Sequence, residues 1–391
     1  MISVAFRNTH DVVEEIWSPA DLDQLRPEPD SVTRFRERFA DMGGLTGEVV
    51  FAASGRQALR QLLARLPRRP ERRDVLLSAF NCPVVPDAVR AAGYRPVFYD
   101  FSSVRGNVDW DQVATDIGGS VAAVIVSHFF GAPADAEALR ERTQKAGVFV
   151  IEDCAHAFDA SIRGAPVGSL WDAAVFSFNY GKPISLCGGA ALVLNAAALR
   201  GISMPCREAD ESVERDETAA YLKALSAGRR AIAPVVAPLD LVRRILRRMR
   251  IMTPLTPPLA SGFGPLRAAL GLASLSRWRE VRAVRNANAD LVASCGIPLW
   301  HVTTGAQPSW LRLRATLRDE SVLREASTRL RSRGFRAGNI NWPKIDPDCG
   351  PAPWARQAAR CGIDVPIHQN MSADEIAFII EVLAPLVEPV T

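Results

Sequence analysis

The chain has 391 residues, 48% hydrophobic and 23% charged, with a formal charge of +4. This is an ordinary globular composition, long enough for two domains, and its charge makes no case for nucleic acid. No apolar run is long enough to span a membrane, and the N-terminus lacks a basic-then-apolar leader pattern, so a cytoplasmic protein is expected.

From about residue 50 to 195 the pattern alternates. "SGRQALRQLLARL" (54–66) carries apolar residues at helical spacing. "DVLLSAF" (74–80) is a short apolar run, "VVPDAVRAAGY" (84–94) reads as a helix ending at Gly93, and "PVFYDF" (96–101) is strand-like. "VAAVIVSHFFG" (121–131) predicts a buried strand running into a loop, and "ADAEALRERTQKAG" (134–147) an amphipathic helix with a glycine stop. "VFVIED" (148–153), "AAVFSFN" (173–179) and "AALVLN" (190–195) are further strands. Continuous apolar strands alternating with helices imply an α/β fold whose mostly parallel sheet is covered on both faces, with ligands at the carboxyl ends of its strands.

Segment 206–265 breaks this rhythm with an acidic stretch and then a run rich in proline and arginine. In "LVRRILRRMR" (241–250) apolar and arginine residues fall on separate helical faces. It reads as a surface helix of an inserted element; a lid for a nucleotide diphosphate, or a helix touching an anionic membrane surface, are the alternatives. A long helical pattern follows over 266–293. The expected organisation is a large domain over 1–265, containing the insertion, and a linking helix with a smaller C-terminal α+β domain over 266–391. The seven cysteines are scattered with no C-x-x-C pair, which argues against a zinc site and a disulfide framework.

Of the 47 basic residues only four are lysines, and one of them, Lys182, stands in "FSFNYGKPISLCGGA" (176–190) between a strand and a double glycine. An ammonium can lose its proton and attack a carbonyl, whereas a guanidinium stays charged. A surface lysine at a turn is the bland alternative. If Lys182 forms a Schiff base, the natural cofactor is pyridoxal 5'-phosphate. That cofactor needs an acid at its pyridine nitrogen, a donor at its phenolic oxygen, an anion cup and a flat neighbour for its ring. Asp153 ends a strand and suits the first, although a strand-end Asp is often a helix cap. His156 suits the second, or is a satisfied core histidine. Ser54 and Gly55 open a helix, and Ser177 offers a hydroxyl at a strand end.

"SGRQAL", "HFFGAPADAEAL", "VIEDCAHAFDA", "VGSLWDAAVFSFNYGK" and the late "VPIHQNMSADEIAFIIEVL" resemble the DegT/StrS-type nucleotide-sugar aminotransferases, which are fold-type I pyridoxal-phosphate enzymes. The resemblance implies an aspartate-aminotransferase-like α/β fold and a homodimer. It implies transfer of an amino group from an amino acid, by family habit glutamate, to a keto-sugar that is nucleotide-linked. It makes Lys182 the Schiff-base lysine, Asp153 the pyridinium partner, His156 the neighbour of the ring oxygen, and Ser177 with Gly55 and Arg56 the phosphate cup. The sequence also departs from the family pattern. Arg56 stands where threonine is usual. The aromatic stacking position falls on Cys82, which leaves Phe80 as the candidate ring partner. Ala260 and Gly262 stand where an asparagine and an arginine usually reach the partner subunit. Other pyridoxal-phosphate chemistry on the same site, a sugar dehydratase or cyclitol aminotransferase, and an inactive binding relative remain as alternatives.

Overall fold

The computed structural model describes residues 19–201, 209–230, 262–297, 299–335 and 344–386. The arginine-rich stretch 241–250 and Ala260 lie outside the described residues. Seven strands form the central sheet: β1 (Glu48–Ala52), β2 (Asp74–Ser78), β3 (Arg95–Tyr99), β4 (Val121–Ser127), β5 (Phe149–Asp153), β6 (Ala173–Ser177) and β7 (Ala190–Leu194). Their order is β1-β7-β6-β5-β4-β2-β3. The ladder from β3 through β2, β4 and β5 to β6 is parallel, whereas β7 runs antiparallel to both β6 and β1. Every residue of β2, β4 and β7 is buried. That explains why they are apolar throughout except at their ends, since a sheet covered on both faces has no polar side to write.

Helices α1 (Ser31–Gly43), α2 (Gly55–Arg65), α3 (Val84–Ala91) and α4 (Arg140–Ala146) belong to this layer. The helix expected over 134–147 begins only at Arg140, after a short 3-10 turn at Glu137–Leu139. It stops as expected, on Gly147 in the left-handed conformation at φ 61°. Helix α5 (Glu211–Arg230) occupies part of the segment that breaks the alternation, and α6 (Pro265–Ser294) is the long helix read at 266–293. Glu214 joins the two. Its carboxylate accepts the N–H groups of Gly264 and Leu266 at 2.6 and 3.0 Å, the otherwise orphaned donors at the start of α6, and faces the buried Arg267 guanidinium at 3.3 Å.

Beyond α6 the chain forms an antiparallel pair, β8 (Leu313–Thr316) with β9 (Gly362–Val365), flanked by α7 (Glu320–Ser332), α8 (Pro353–Cys361) and α9 (Ala373–Leu383). One apolar cluster runs from this part into the sheet layer, uniting Leu313, Ile363, Ile376 and Ile379 with Phe80, Phe101, Phe129 and Trp300. Among the described residues no helix is long and apolar enough to cross a membrane.

Candidate active site

The strand register sets two of the candidate side chains, Asp153 and Ser177, along one edge. Ser127 pairs with Asp153, Asp153 with Val175, and Ser177 with Ala190. Asp153 and Ser177 therefore end their strands at the carboxyl side of the parallel sheet, where open α/β sheets bind ligands. Lys182 lies in the connection between β6 and β7. That connection is closed at its base: Phe178 donates to Gly189 O at 3.0 Å, Leu186 to Phe178 O at 2.7 Å, and Gly189 to Ala53 O at 2.9 Å. The antiparallel pairing of β6 with β7 thus fixes the loop that carries the lysine.

The electrostatics of this edge are coupled. Burial disfavours the charged form of Lys182 and lowers its pKa below the usual lysine value, against the opposing pull of Cys82 and Asp153. Burial likewise raises Asp153, against the pull of Lys182, the Ala155 N–H and His128. The Ala155 N–H reaches Asp153 Oδ1 at 3.1 Å. A half-buried carboxylate held above its normal range is one that a further cation would stabilise.

His156 is buried, and its Nδ1 accepts the backbone N–H of Phe130 at 3.2 Å. With Nδ1 engaged as an acceptor, the proton of the neutral ring sits on Nε2, which can then only donate. Burial, with Lys182 and Arg312 nearby, holds the imidazole pKa well below 6.5, so the ring stays neutral. Phe130 supplies its N–H from a left-handed backbone, φ 59°, uncommon outside glycine.

The depressed imidazole gives a pH signature. The unfolded chain takes up a proton near pH 6.5 that the folded site refuses, so this contribution to stability is present above pH 6.5 and is lost as pH falls below it, by up to about 1.4 kcal/mol per pH unit. His156→Gln is expected to flatten the cofactor-free stability profile between pH 6.5 and 5.5 in denaturant titrations. Identical slopes in both proteins would show that His156 does not titrate as described.

Helix α2 starts beside Ser177. Ser54 caps it, its Oγ accepting the N–H of Gln57 at 3.2 Å. The N–H groups of Gly55 and Arg56 head the helix, where an anion is favoured. A Cβ added at Gly55 would lie 3.3 Å from Ser177 Cβ and 3.5 Å from its Oγ, so glycine leaves room for that hydroxyl to face the helix start. The side chain of Arg56 is exposed. A flat phosphate monoester fits this cup of backbone N–H groups and a hydroxyl.

One sequence expectation changes, and one residue gains a contact. Phe80 is 0% exposed, packed with Phe101 at 5.4 Å, Phe129 at 5.4 Å and Trp300 at 5.2 Å between ring centroids. Its ring belongs to the core and presents no face to the cleft; Cys82, two residues on, is the half-buried residue whose charge bears on Lys182. Gly262 is buried, and its carbonyl accepts Arg267 at 2.7 Å, so this position serves the start of α6. Sequence reasoning missed Arg312, which precedes β8, is 9% exposed, and lies over the Phe130 ring at 5.5 Å. In a chain so rich in arginine, nothing in its local sequence marks it.

A second buried cluster, His128, Glu152 and Cys154, has metal-ligand chemistry. Its carboxylate and imidazole atoms are already engaged. Glu152 Oε1 accepts Gly168 N at 2.8 Å and lies 3.2 Å from His128 Nε2, Glu152 Oε2 accepts Leu170 N and Trp171 N, and His128 Nδ1 accepts Ala134 N. This cluster ties down the 168–171 turn.

The mostly parallel seven-stranded sheet with its helices is an α/β fold of the aspartate-aminotransferase type. The chain belongs to the DegT/DnrJ/EryC1/StrS aminotransferase family, whose model matches residues 12–220. It is 34% identical over 170 residues to a UDP-N-acetyl-3-dehydro-alpha-D-glucosamine 3-aminotransferase from Acidithiobacillus ferrooxidans, a match covering 42% of this chain and 46% of that protein. The chain thus spans about half the length of the curated relatives it matches. Its fold superimposes on the aminotransferase TlmJ from Streptoalloteichus hindustanus with a TM-score of 0.70 at 22% identity, over 98% of each chain. It superimposes also on DesI, solved in the presence of its TDP-sugar product, with a TM-score of 0.69 at 22% identity, over 98% of this chain and 94% of that one.

Proposed function

We propose that the protein is a pyridoxal-phosphate-dependent aminotransferase that moves an amino group from an amino acid, with glutamate the expected donor, to a nucleotide-linked keto-sugar. The observation that carries this reading is a half-buried lysine coupled to a half-buried aspartate at the carboxyl end of the strands, with each group's pKa displaced toward its neutral form by desolvation. Perturbed pairs of this kind cluster at functional sites. Family membership and the names of the relatives support the substrate class.

When bound, the cofactor supplies an aldehyde that takes the amino group and a ring that accepts an electron pair. The chain's residues would do the rest. Lys182, with its pKa lowered, gives up its proton more readily than an ordinary lysine, which suits it first to hold the aldehyde and then to move a proton at the substrate carbon. Asp153 would keep a proton on the ring nitrogen. His156 Nε2–H would donate to the ring oxygen. Ser177 and the N–H groups of Gly55 and Arg56 would hold the phosphate. A homodimer, and a division near residue 265 where α6 begins, are part of the same proposal.

The visible spectrum of the cofactor-loaded protein tests it: L-glutamate should bleach the visible band. Cofactor binding with no response to any amino acid would point to other chemistry on the same site. Failure to bind cofactor would point to a binding relative. Arg56 has its own test. Arg56→Thr is expected to weaken cofactor affinity about tenfold, roughly 1.4 kcal/mol, if the guanidinium reaches the phosphate. Unchanged affinity in equilibrium dialysis would leave the phosphate to the N–H groups and Ser177 alone.

A further inference from the structure

A cavity of about 500 Å³ opens at the other end of the sheet, with Arg69, Arg72, Arg140, Phe149, Trp171 and Asp172 in its walls. Phe149 opens β5 and Asp172 stands just before β6, whereas Asp153 and Ser177 close those same strands. At a rise of ~3.3 Å per residue, the length of β5 puts about 13 Å between Phe149 and Asp153. None of the residues given a part in amino transfer lines this cavity.

Arg140 begins α4, and its guanidinium lies over the Trp171 ring, 4.4 Å from the centroid. Glu137 grips that guanidinium at two points, Nε to Oε1 at 2.6 Å and NH2 to Oε2 at 3.0 Å, which fixes its plane. The face turned away from the indole is a platform for a second flat ring. Asp172 adds an acceptor. Its Oδ2 takes the Val150 N–H at 2.8 Å, and its Oδ1 has no hydrogen-bond partner among the described residues. Burial raises this acid, against the pull of the Val150 N–H and Arg140, so a donor arriving at Oδ1 would be favourable. Arg72 donates to the Gly147 carbonyl at 2.7 Å and to that of Ala146, at the end of α4. Arg69 is exposed and has no hydrogen-bond or ion-pair partner among the described residues.

Arg69, Arg72 and Arg140 stand against Asp172 and the Glu137 that holds Arg140, a surplus of one positive charge. The walls therefore suit a ligand that is anionic, flat in one part, and able to donate a hydrogen bond from that flat part. A nucleotide with an amino group on its base has all three properties, whereas a sugar phosphate lacks the flat ring. The volume lies within the range of small-molecule sites. We propose that this cavity is a second ligand site, for a nucleotide whose base carries an exocyclic amino group. The base stacks on Arg140, its amino group donates to Asp172 Oδ1, and its phosphate meets Arg69. The site stands apart from the aminotransferase reading and does not depend on it.

Equilibrium dialysis of the full chain tests this with two pairs of nucleotides. CMP and UMP differ at one ring position, an amino group against a carbonyl, and AMP and IMP make the same comparison in a larger base. Wild type should retain the amino member of at least one pair about tenfold more tightly, roughly 1.4 kcal/mol. Asp172→Asn should reverse that preference, because the amide oxygen can keep the Val150 N–H while its NH2 turns a donor to the cavity. Arg69→Ala should weaken the nucleotide about tenfold and leave the phosphate-free nucleoside unchanged. Arg69 is exposed, so this variant keeps the test intact if Asp172→Asn fails to fold. Equal retention within both pairs would overturn the proposal. So would full displacement of the nucleotide by equimolar inorganic phosphate, which would make the cavity an anion site only. Retention that neither substitution alters would place the nucleotide elsewhere, in the catalytic cleft for instance, and would overturn it as well.

Discussion

Lys182→Ala is expected to abolish covalent retention of the cofactor and to lower amino transfer at least about a thousandfold, roughly 4 kcal/mol of barrier. Two properties of the site argue for so large an effect. The loop bearing Lys182 is pinned at its base by backbone hydrogen bonds between Phe178, Leu186 and Gly189, so no neighbouring residue moves into its place. Lysine is also scarce, and Lys145 is exposed on α4. Borohydride reduction followed by mass spectrometry checks the result. Wild type should carry the cofactor mass on the peptide that contains Lys182, and the variant should carry none. Cofactor trapped on another lysine would sink the assignment.

For Asp153→Asn, activity and stability should move in opposite senses. The amide cannot hold a proton on the ring nitrogen by charge, and a loss of about a thousandfold in amino transfer is expected. Yet burial raises the Asp153 pKa, which means that the ionised carboxylate is a cost to the folded, cofactor-free protein at neutral pH. Removing that charge should leave the melting temperature of the cofactor-free protein unchanged or higher. A residue serving only to cap the following turn, through its bond from Ala155, would give the reverse pattern, with lower stability and retained activity.

The sheet was legible because its strands are buried on both faces, so β2, β4 and β7 are apolar runs with polar residues only at their ends. Lys182 was legible for a chemical reason, a lysine where the chain otherwise chooses arginine. The start of the helix after Pro133 was not, because helical spacing over 134–147 says nothing of the 3-10 turn that occupies Glu137–Leu139. Phe80 misled because an aromatic next to a cleft and an aromatic in the core carry the same local signal; only its packing with Phe101, Phe129 and Trp300 separates them. Arg312 was hidden by composition. Its distinction lies in contacts to Phe130 and Asp364, which no neighbouring residue announces. The role of Phe130 was equally invisible, since a left-handed phenylalanine is a property of the folded loop.

The adjacent acids of β5 have a consequence for which insertions and deletions the chain can tolerate. Side chains alternate along a strand, so Asp153 is turned to the cleft while Glu152 is turned to the N–H groups of Gly168, Leu170 and Trp171. A shift of one residue exchanges the two faces. It would put the longer acid where the shorter one meets Lys182, and leave the shorter one reaching for three backbone donors a methylene too far away. Most strands guard against such a slip only by keeping apolar residues inside, and a strand covered on both faces, as the buried centre of β5 is, has weak protection of that kind. Here the two acids, unequal in length and with unequal tasks, supply the missing asymmetry. An insertion or deletion between β4 and β6 is therefore expected to be tolerated in the loops and not within β5.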